Sequence, residues 1–163
     1  MKKLKQQGCS IPLLKEAFLF SCFTGLRWSD IQNLKWSDIK YLKEGNPELK
    51  LRIKKTNRFQ VIPLASGAIS LLMSIPQKSS RVFHSLSYSH VVNNLQNWIS
   101  EANIDKKITF HCARHTNATW QITTGTDLYT VKSNLGHKHI KTTELYSKVI
   151  DDKKKKAIEK LEL

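Results

Sequence analysis

The chain has 163 residues, 40% hydrophobic and 25% charged, which is the balance of one globular domain with its own core. Its 27 Lys+Arg against 13 Asp+Glu leave a formal net charge of +14, which calls for an anionic partner: nucleic acid first, a ribosomal-type or membrane-surface role second. No apolar run approaches the ~18–20 residues of a membrane span, the start Met1-Lys2-Lys3 leads into no signal-peptide core, and three cysteines (Cys9, Cys22, Cys112) do not make a disulfide framework.

In chain order, Ile11–Phe23 predicts a helix, with Ser10 placed to cap it, Pro12 at an early position and Gly25 to end it. Trp28–Leu34 predicts a second, short helix. Trp36–Leu42 alternates loosely, as a strand does, and Gly45-Asn46-Pro47 is a turn signal. Leu49, Leu51 and Ile53 fall on one face of a strand over 49–54, and Phe59–Pro63 is rich in β-type residues. Together they predict a hairpin around Lys55-Thr56-Asn57-Arg58. After Pro63 the pattern turns helical over Ala65–Ile75, and Val82-Phe83 is too brief to classify. Ser87–Glu101 places Val91, Val92, Leu95, Trp98 and Ile99 at helical spacing. Phe110–Thr123 and Asp127–Leu135 follow as helices, the second ended by Gly136. Ile140–Lys148 carries Tyr146, and Asp151–Leu163 reads as a lysine-rich amphipathic helix with Ala157, Ile158 and Leu161 on one stripe. The expected fold is α+β: a mostly helical domain with a small antiparallel sheet of about three strands.

Several residues along this path can carry chemistry on a phosphodiester. His111 and Arg114 are three apart, on one helix face, so a single anion can meet both. Taken alone, His-x-x-Arg is more often a solvated helix edge. Arg27 follows Thr24-Gly25-Leu26 at a helix start, where Asp30 is placed to orient its guanidinium. Lys55 sits in a basic hairpin tip, either solvated or reaching into a DNA groove to give a proton to a leaving oxygen. His137 lies at a helix end, where a histidine can simply complement the dipole. Tyr146 follows nine residues later and offers a phenol as nucleophile. His111 and His115 are the one pair with metal-ligand spacing, but no Cys-x-x-Cys or His-Glu-x-x-His accompanies them. Gly-rich nucleotide loops are absent. Cys112 is a candidate nucleophile without an oxyanion-hole signature.

The ordered set Arg27, Lys55, His111-x-x-Arg114, Gly136-His137 and Tyr146 resembles the tyrosine recombinase (phage integrase) family, over residues from about 10 to about 150. The pieces that carry it are Thr24-Gly25-Leu26-Arg27-Trp28-Ser29-Asp30-Ile31, His111-Cys112-Ala113-Arg114-His115-Thr116, and Leu135-Gly136-His137 followed by Thr142-Thr143-Glu144-Leu145-Tyr146. The wording of the first motif and the Lys-Lys-Thr hairpin are similar to integrases of Bacteroides-type mobile elements. Ala113 stands where the family often has leucine. The family's N-terminal DNA-clamping domain has no room before Ser10, so residues 1–163 are expected to be a catalytic domain alone.

The resemblance implies site-specific recombination or integration through a 3′-phosphotyrosine intermediate. Tyr146 would be the nucleophile. Arg27, Arg114 and His137 would hold the phosphate oxygens, with Lys55 as general acid and His111 assisting proton transfer. It implies no metal and no cofactor. It also implies double-stranded DNA as partner, a tetramer on DNA for the full-length protein, a monomer for this chain alone, and a cytoplasmic, nucleoid-associated location. Two other readings stay open: type IB topoisomerase-like relaxation, and a DNA-binding module that has lost activity.

Overall fold

The structure, a computed structural model, describes residues 2–55 and 57–136. Met1, Thr56 and residues 137–163 lie outside the described residues, and with them His137, Tyr146, the expected 140–148 helix and the expected tail helix.

The molecule is organised around α2 (Leu14–Thr24), whose Leu14, Ala17, Phe18, Leu19, Phe20 and Cys22 are all buried. A helix apolar on every side has to sit inside its domain, and α2 packs against the later helices α4 (Ser66–Met73) and α6 (His111–Thr123). Gly25 ends α2 with φ 71°, its N–H donating to the Ser21 carbonyl. That left-handed conformation suits glycine, and space demands it too: a Cβ there would stand 2.6 Å from Leu135 Cδ2 and 2.8 Å from Asn117 Oδ1.

The start of α2 differs from the sequence expectation. The helix begins at Leu14, Ser10 does not cap it, and Leu13 takes the capping position in a left-handed conformation (φ 64°) with no side-chain hydrogen bond. Burial of the apolar residues from Leu14 onward outweighs local cap chemistry here. Ahead of it, α1 (Lys2–Gln6) was not expected from the sequence; its Leu4 is buried in the main core.

α3 (Trp28–Asn33) follows at once, then a 3₁₀ turn at Trp36–Asp38 in which Asp38 Oδ2 accepts the Lys35 N–H at 2.9 Å. This turn takes up most of the strand expected over 36–42, leaving β1 as Ile39–Lys40 only. β2 (Glu48–Ile53) and β3 (Arg58–Pro63) form the expected hairpin, and the sheet order is β1-β2-β3, antiparallel throughout. Leu49 pairs with Ile62 and Leu51 with Gln60 on the core face; Arg52 pairs with Phe59 and Lys50 with Val61 on the outer face. The fold is therefore the α+β arrangement expected, with a sheet of three strands among the described residues.

Val82 and Phe83 are core residues, and the Val82 N–H donates to the Leu34 carbonyl. α5 (Tyr88–Glu101) is capped by Ser87, whose hydroxyl accepts the His90 N–H. Val91, Leu95, Trp98 and Ile99 are buried, but Val92 is 55% exposed and belongs to the outer side of α5, not to its core stripe. α7 (Leu128–Asn134) is capped by Asp127, which accepts the Thr130 N–H. It is held to α6 by a small separate cluster of Ala118, Ile122, Val131 and Leu135.

Candidate functional site

Arg27 occupies the residue before α3, in extended conformation (φ −75°, ψ 160°), immediately after the turn that Gly25 makes. Asp30 is buried, but its carboxylate takes backbone donors, not the guanidinium. Oδ2 accepts the Arg27 N–H at 3.3 Å and Oδ1 accepts the Lys54 N–H at 3.0 Å. The expected pairing of Asp30 with the Arg27 side chain is thus replaced by a tie between the start of α3 and the end of β2. One carboxylate fixes the backbone of Arg27 and of the residue before Lys55. The Arg27 guanidinium is left with a buried Nη1 that has no hydrogen-bond partner. A buried unpaired donor costs about 1–3 kcal/mol, more when charged, and an anion would satisfy it.

Lys55 is exposed in the turn between β2 and β3, where Asn57 adopts φ 54° and its N–H donates to the Ile53 carbonyl. Arg114 is its opposite in burial, 4% exposed on the inner face of α6. Its Nη1 donates to the Gly25 carbonyl at 2.5 Å and its Nη2 to the Leu135 carbonyl. His111 opens α6 one turn before Arg114 and stacks edge-to-face on His115, ring centroids 4.7 Å apart. Partial burial is the largest cause lowering the His111 pKa from its ordinary value, and the charges of His115, Arg114, Arg27 and Lys55 push the same way. The other three described candidates, Arg27, Lys55 and Arg114, therefore stand within electrostatic reach of the His111 imidazole.

Arg27, His111 and Arg114 line one cavity of about 550 Å³, walled mainly by apolar side chains such as Leu26, Trp28, Val91 and Phe110. Lys55 is not in its wall. The apolar surround matters because it weakens the competition of water for an anion held by the cations. His137 and Tyr146, which the sequence adds to this set, lie outside the described residues; α7 carries the chain to Gly136, beside Leu135.

Other candidates resolve into structural roles. Cys112 Sγ receives the Thr109 N–H at 3.4 Å and lies 3.5 Å from the Thr109 hydroxyl, a local contact at the start of α6. Burial pushes the Cys22 thiol up to about 12, which makes it inert. Among the described residues no group of three or more His, Cys, Asp or Glu could hold a metal ion, and no helix is long and apolar enough to cross a membrane. Sequence reasoning missed Asn117 and Gln121, which follow Arg114 on the same stripe of α6. The available signal was a polar run at positions 114, 117 and 121, through a helix whose Ala113, Ala118 and Ile122 are buried.

Comparison with known proteins converges on one group. A model of the phage integrase family matches residues 2–153. A tyrosine recombinase of Thermosipho africanus (strain TCF52B) is 30% identical over 154 residues, covering 90% of this chain and 53% of its own. The tyrosine recombinase XerD of Lacticaseibacillus casei is 38% identical over 64 residues, 39% of this chain and 22% of its own. The chain thus spans about half the length, or less, of these relatives. Among solved structures, XerA recombinase superposes with a TM-score of 0.77 at 22% identity, over 96% of this chain and 60% of that one. The catalytic domain of bacteriophage HP1 integrase gives 0.69 at 22% identity, over 90% of this chain and 82% of that one. These structural likenesses speak for the fold.

Proposed function

Since the chain belongs to the phage integrase family, we propose that it cuts and rejoins double-stranded DNA as the catalytic domain of a site-specific recombinase. The observation that carries this reading is the shared cavity of Arg27, His111 and Arg114, with a buried and unpartnered Arg27 Nη1. A phosphodiester resists attack because its oxygens are negative and gain charge as the fifth bond forms. Two guanidinium groups and an imidazole in an apolar wall answer that requirement without further cofactors. Arg27 and Arg114 bind the non-bridging oxygens, as arginine forks do, and His137 adds a third donor. Tyr146 attacks phosphorus to give a 3′-phosphotyrosine link, and the leaving 5′-oxygen takes a proton from Lys55. His111, whose surroundings favour its neutral form, accepts the phenol proton. The covalent bond conserves the phosphodiester energy, and reversal by a 5′-hydroxyl rejoins the strand.

The +14 charge supports a DNA partner. In the whole protein the reading extends to self-association on DNA, with the segment from Asp151 docking on a neighbour, and to a mobile-element integrase of the Bacteroides type, acting in the cytoplasm at the nucleoid. The test is a suicide substrate that traps the covalent adduct. Wild type should form it and Tyr146→Phe should bind DNA without forming it; an adduct with the Phe variant removes Tyr146 from the role. A two-site exchange assay separates recombination from topoisomerase-like relaxation.

A further inference from the structure

Arg114 is held by two carbonyls that belong to distant parts of the chain, Gly25 at the end of α2 and Leu135 at the end of α7. A guanidinium tied in this way is steered by where these carbonyls stand. What fixes the separation of those acceptors is a second link across the same gap, built from side-chain amides. Asn117, 6% exposed, donates from Nδ2 to the Cys22 carbonyl at 3.0 Å and to the Phe23 carbonyl at 2.9 Å. Its Oδ1 accepts Gln121 Nε2 at 2.7 Å. Gln121 Oε1 in turn accepts Asn134 Nδ2 at 2.7 Å. The Asn134 carbonyl accepts Gln60 Nε2 at 2.5 Å, which pins the same helix end to β3.

Asn117 and Gln121 each give through the side-chain nitrogen and receive through the side-chain oxygen. The series therefore has one direction: turning over Asn117 or Gln121 would set donor against donor or acceptor against acceptor. It starts two and three residues before Gly25 and ends one residue before Leu135. We infer that Asn117, Gln121 and Asn134 are positioning residues for Arg114, setting the spacing of the two carbonyls that aim its guanidinium into the cavity. The ordinary alternative is that these amides only strengthen the packing of α7 on α6. The two accounts separate because positioning acts on charge at the phosphate, whereas lost packing weakens the domain without regard to the substrate's charge. The inference rests on the reading of Arg114 as a phosphate-binding group.

The experiment uses the full chain with Gln121→Met, which keeps the side chain's length and removes both of its hydrogen bonds, and Asn134→Ala at the exposed end of α7. Single-turnover cleavage is measured on a normal suicide substrate and on one whose scissile phosphate is an uncharged methylphosphonate, alongside DNA affinity. Misplacement of a binding group by an ångström costs up to about 100-fold in rate. Each variant should therefore cleave the charged substrate about 10- to 100-fold more slowly, with DNA affinity unchanged and the neutral substrate barely affected. Equal slowing on both substrates, or none, overturns the inference. A wild-type chain that forms no adduct would count against the proposed cutting and rejoining of DNA, and the inference is then decided in the free protein by ¹⁵N NMR. Arg114 held on two carbonyls gives separate, slowly exchanging guanidinium signals. Their merging in both variants is expected, and unchanged signals overturn the inference.

Discussion

At the scale of single residues, the two arginines of the cavity are not equivalent. Arg27 has an unpartnered Nη1, while Arg114 is anchored to Gly25 and Leu135. Lysine offers a point charge and no fork, so it can replace neither geometry. Arg27→Lys and Arg114→Lys should each lower cleavage by about 10²–10³, the loss seen when one preorganised donor is removed from a site of this kind. Arg81→Ala, on the exposed Arg81 whose backbone bridges to Lys35, should leave cleavage unchanged. His111 adds a pH signature. Its pKa is lowered by burial first and by neighbouring cations second. The neutral, proton-accepting form therefore persists below the ordinary histidine value, and the acid limb of the cleavage profile should fall below about 6.5. The folded state binds this proton less readily than the unfolded one. Its contribution to stability is thus present above the ordinary value and is lost as pH falls from there toward the depressed pKa. His111→Gln should abolish that limb; a profile that keeps it would assign the titration to another group.

At the scale of elements, the predictions concern what begins, ends and pins them. Ser87→Ala removes the hydroxyl that accepts the His90 N–H at the start of α5 and should cost about 1 kcal/mol in urea unfolding. Gly67 is more exacting: a Cβ there would lie 2.4 Å from Phe23 Cζ, in a ring that also packs on Trp120. Gly67→Ala should therefore cost about 1–3 kcal/mol, the range for overpacking a filled site. These elements were legible to different degrees. Gly25 announced the end of α2 because a positive φ and a close approach both select glycine, and the hairpin was legible from Leu49, Leu51 and Ile53 alternating before a basic turn. α1 carries a single buried apolar residue, Leu4, so it has no period to read. Ser10 satisfied the local rule for a cap, and packing moved the helix start to Leu14 instead. In the candidate site, Arg27, His111 and Arg114, which line one cavity, could be picked out from motif order. The bonds of Asp30 to Lys54 and of Asn117 to Cys22 could not, because they join residues 24 and 95 positions apart.

At the scale of the whole molecule, the cationic excess should make DNA binding strongly salt-dependent, with the logarithm of affinity falling by about 0.9 per contacted phosphate for each tenfold rise in salt. Titration at two salt concentrations measures the slope, and tight binding insensitive to salt would contradict a charge-driven interface. Charge alone gives contact without cutting. On the proposed function cutting would need Arg114 in place, and Arg114 is fastened to carbonyls 89 residues before it and 21 residues after it. Closing loops of that length is entropically costly and comes late when a chain folds. On that reading a half-folded copy would already cling to DNA while its cleavage centre was still open, and the order of assembly would itself guard against stray strand breaks. Its kinetic mark is definite: Gly25→Ala, which disturbs this junction, should speed unfolding and leave the folding rate nearly unchanged.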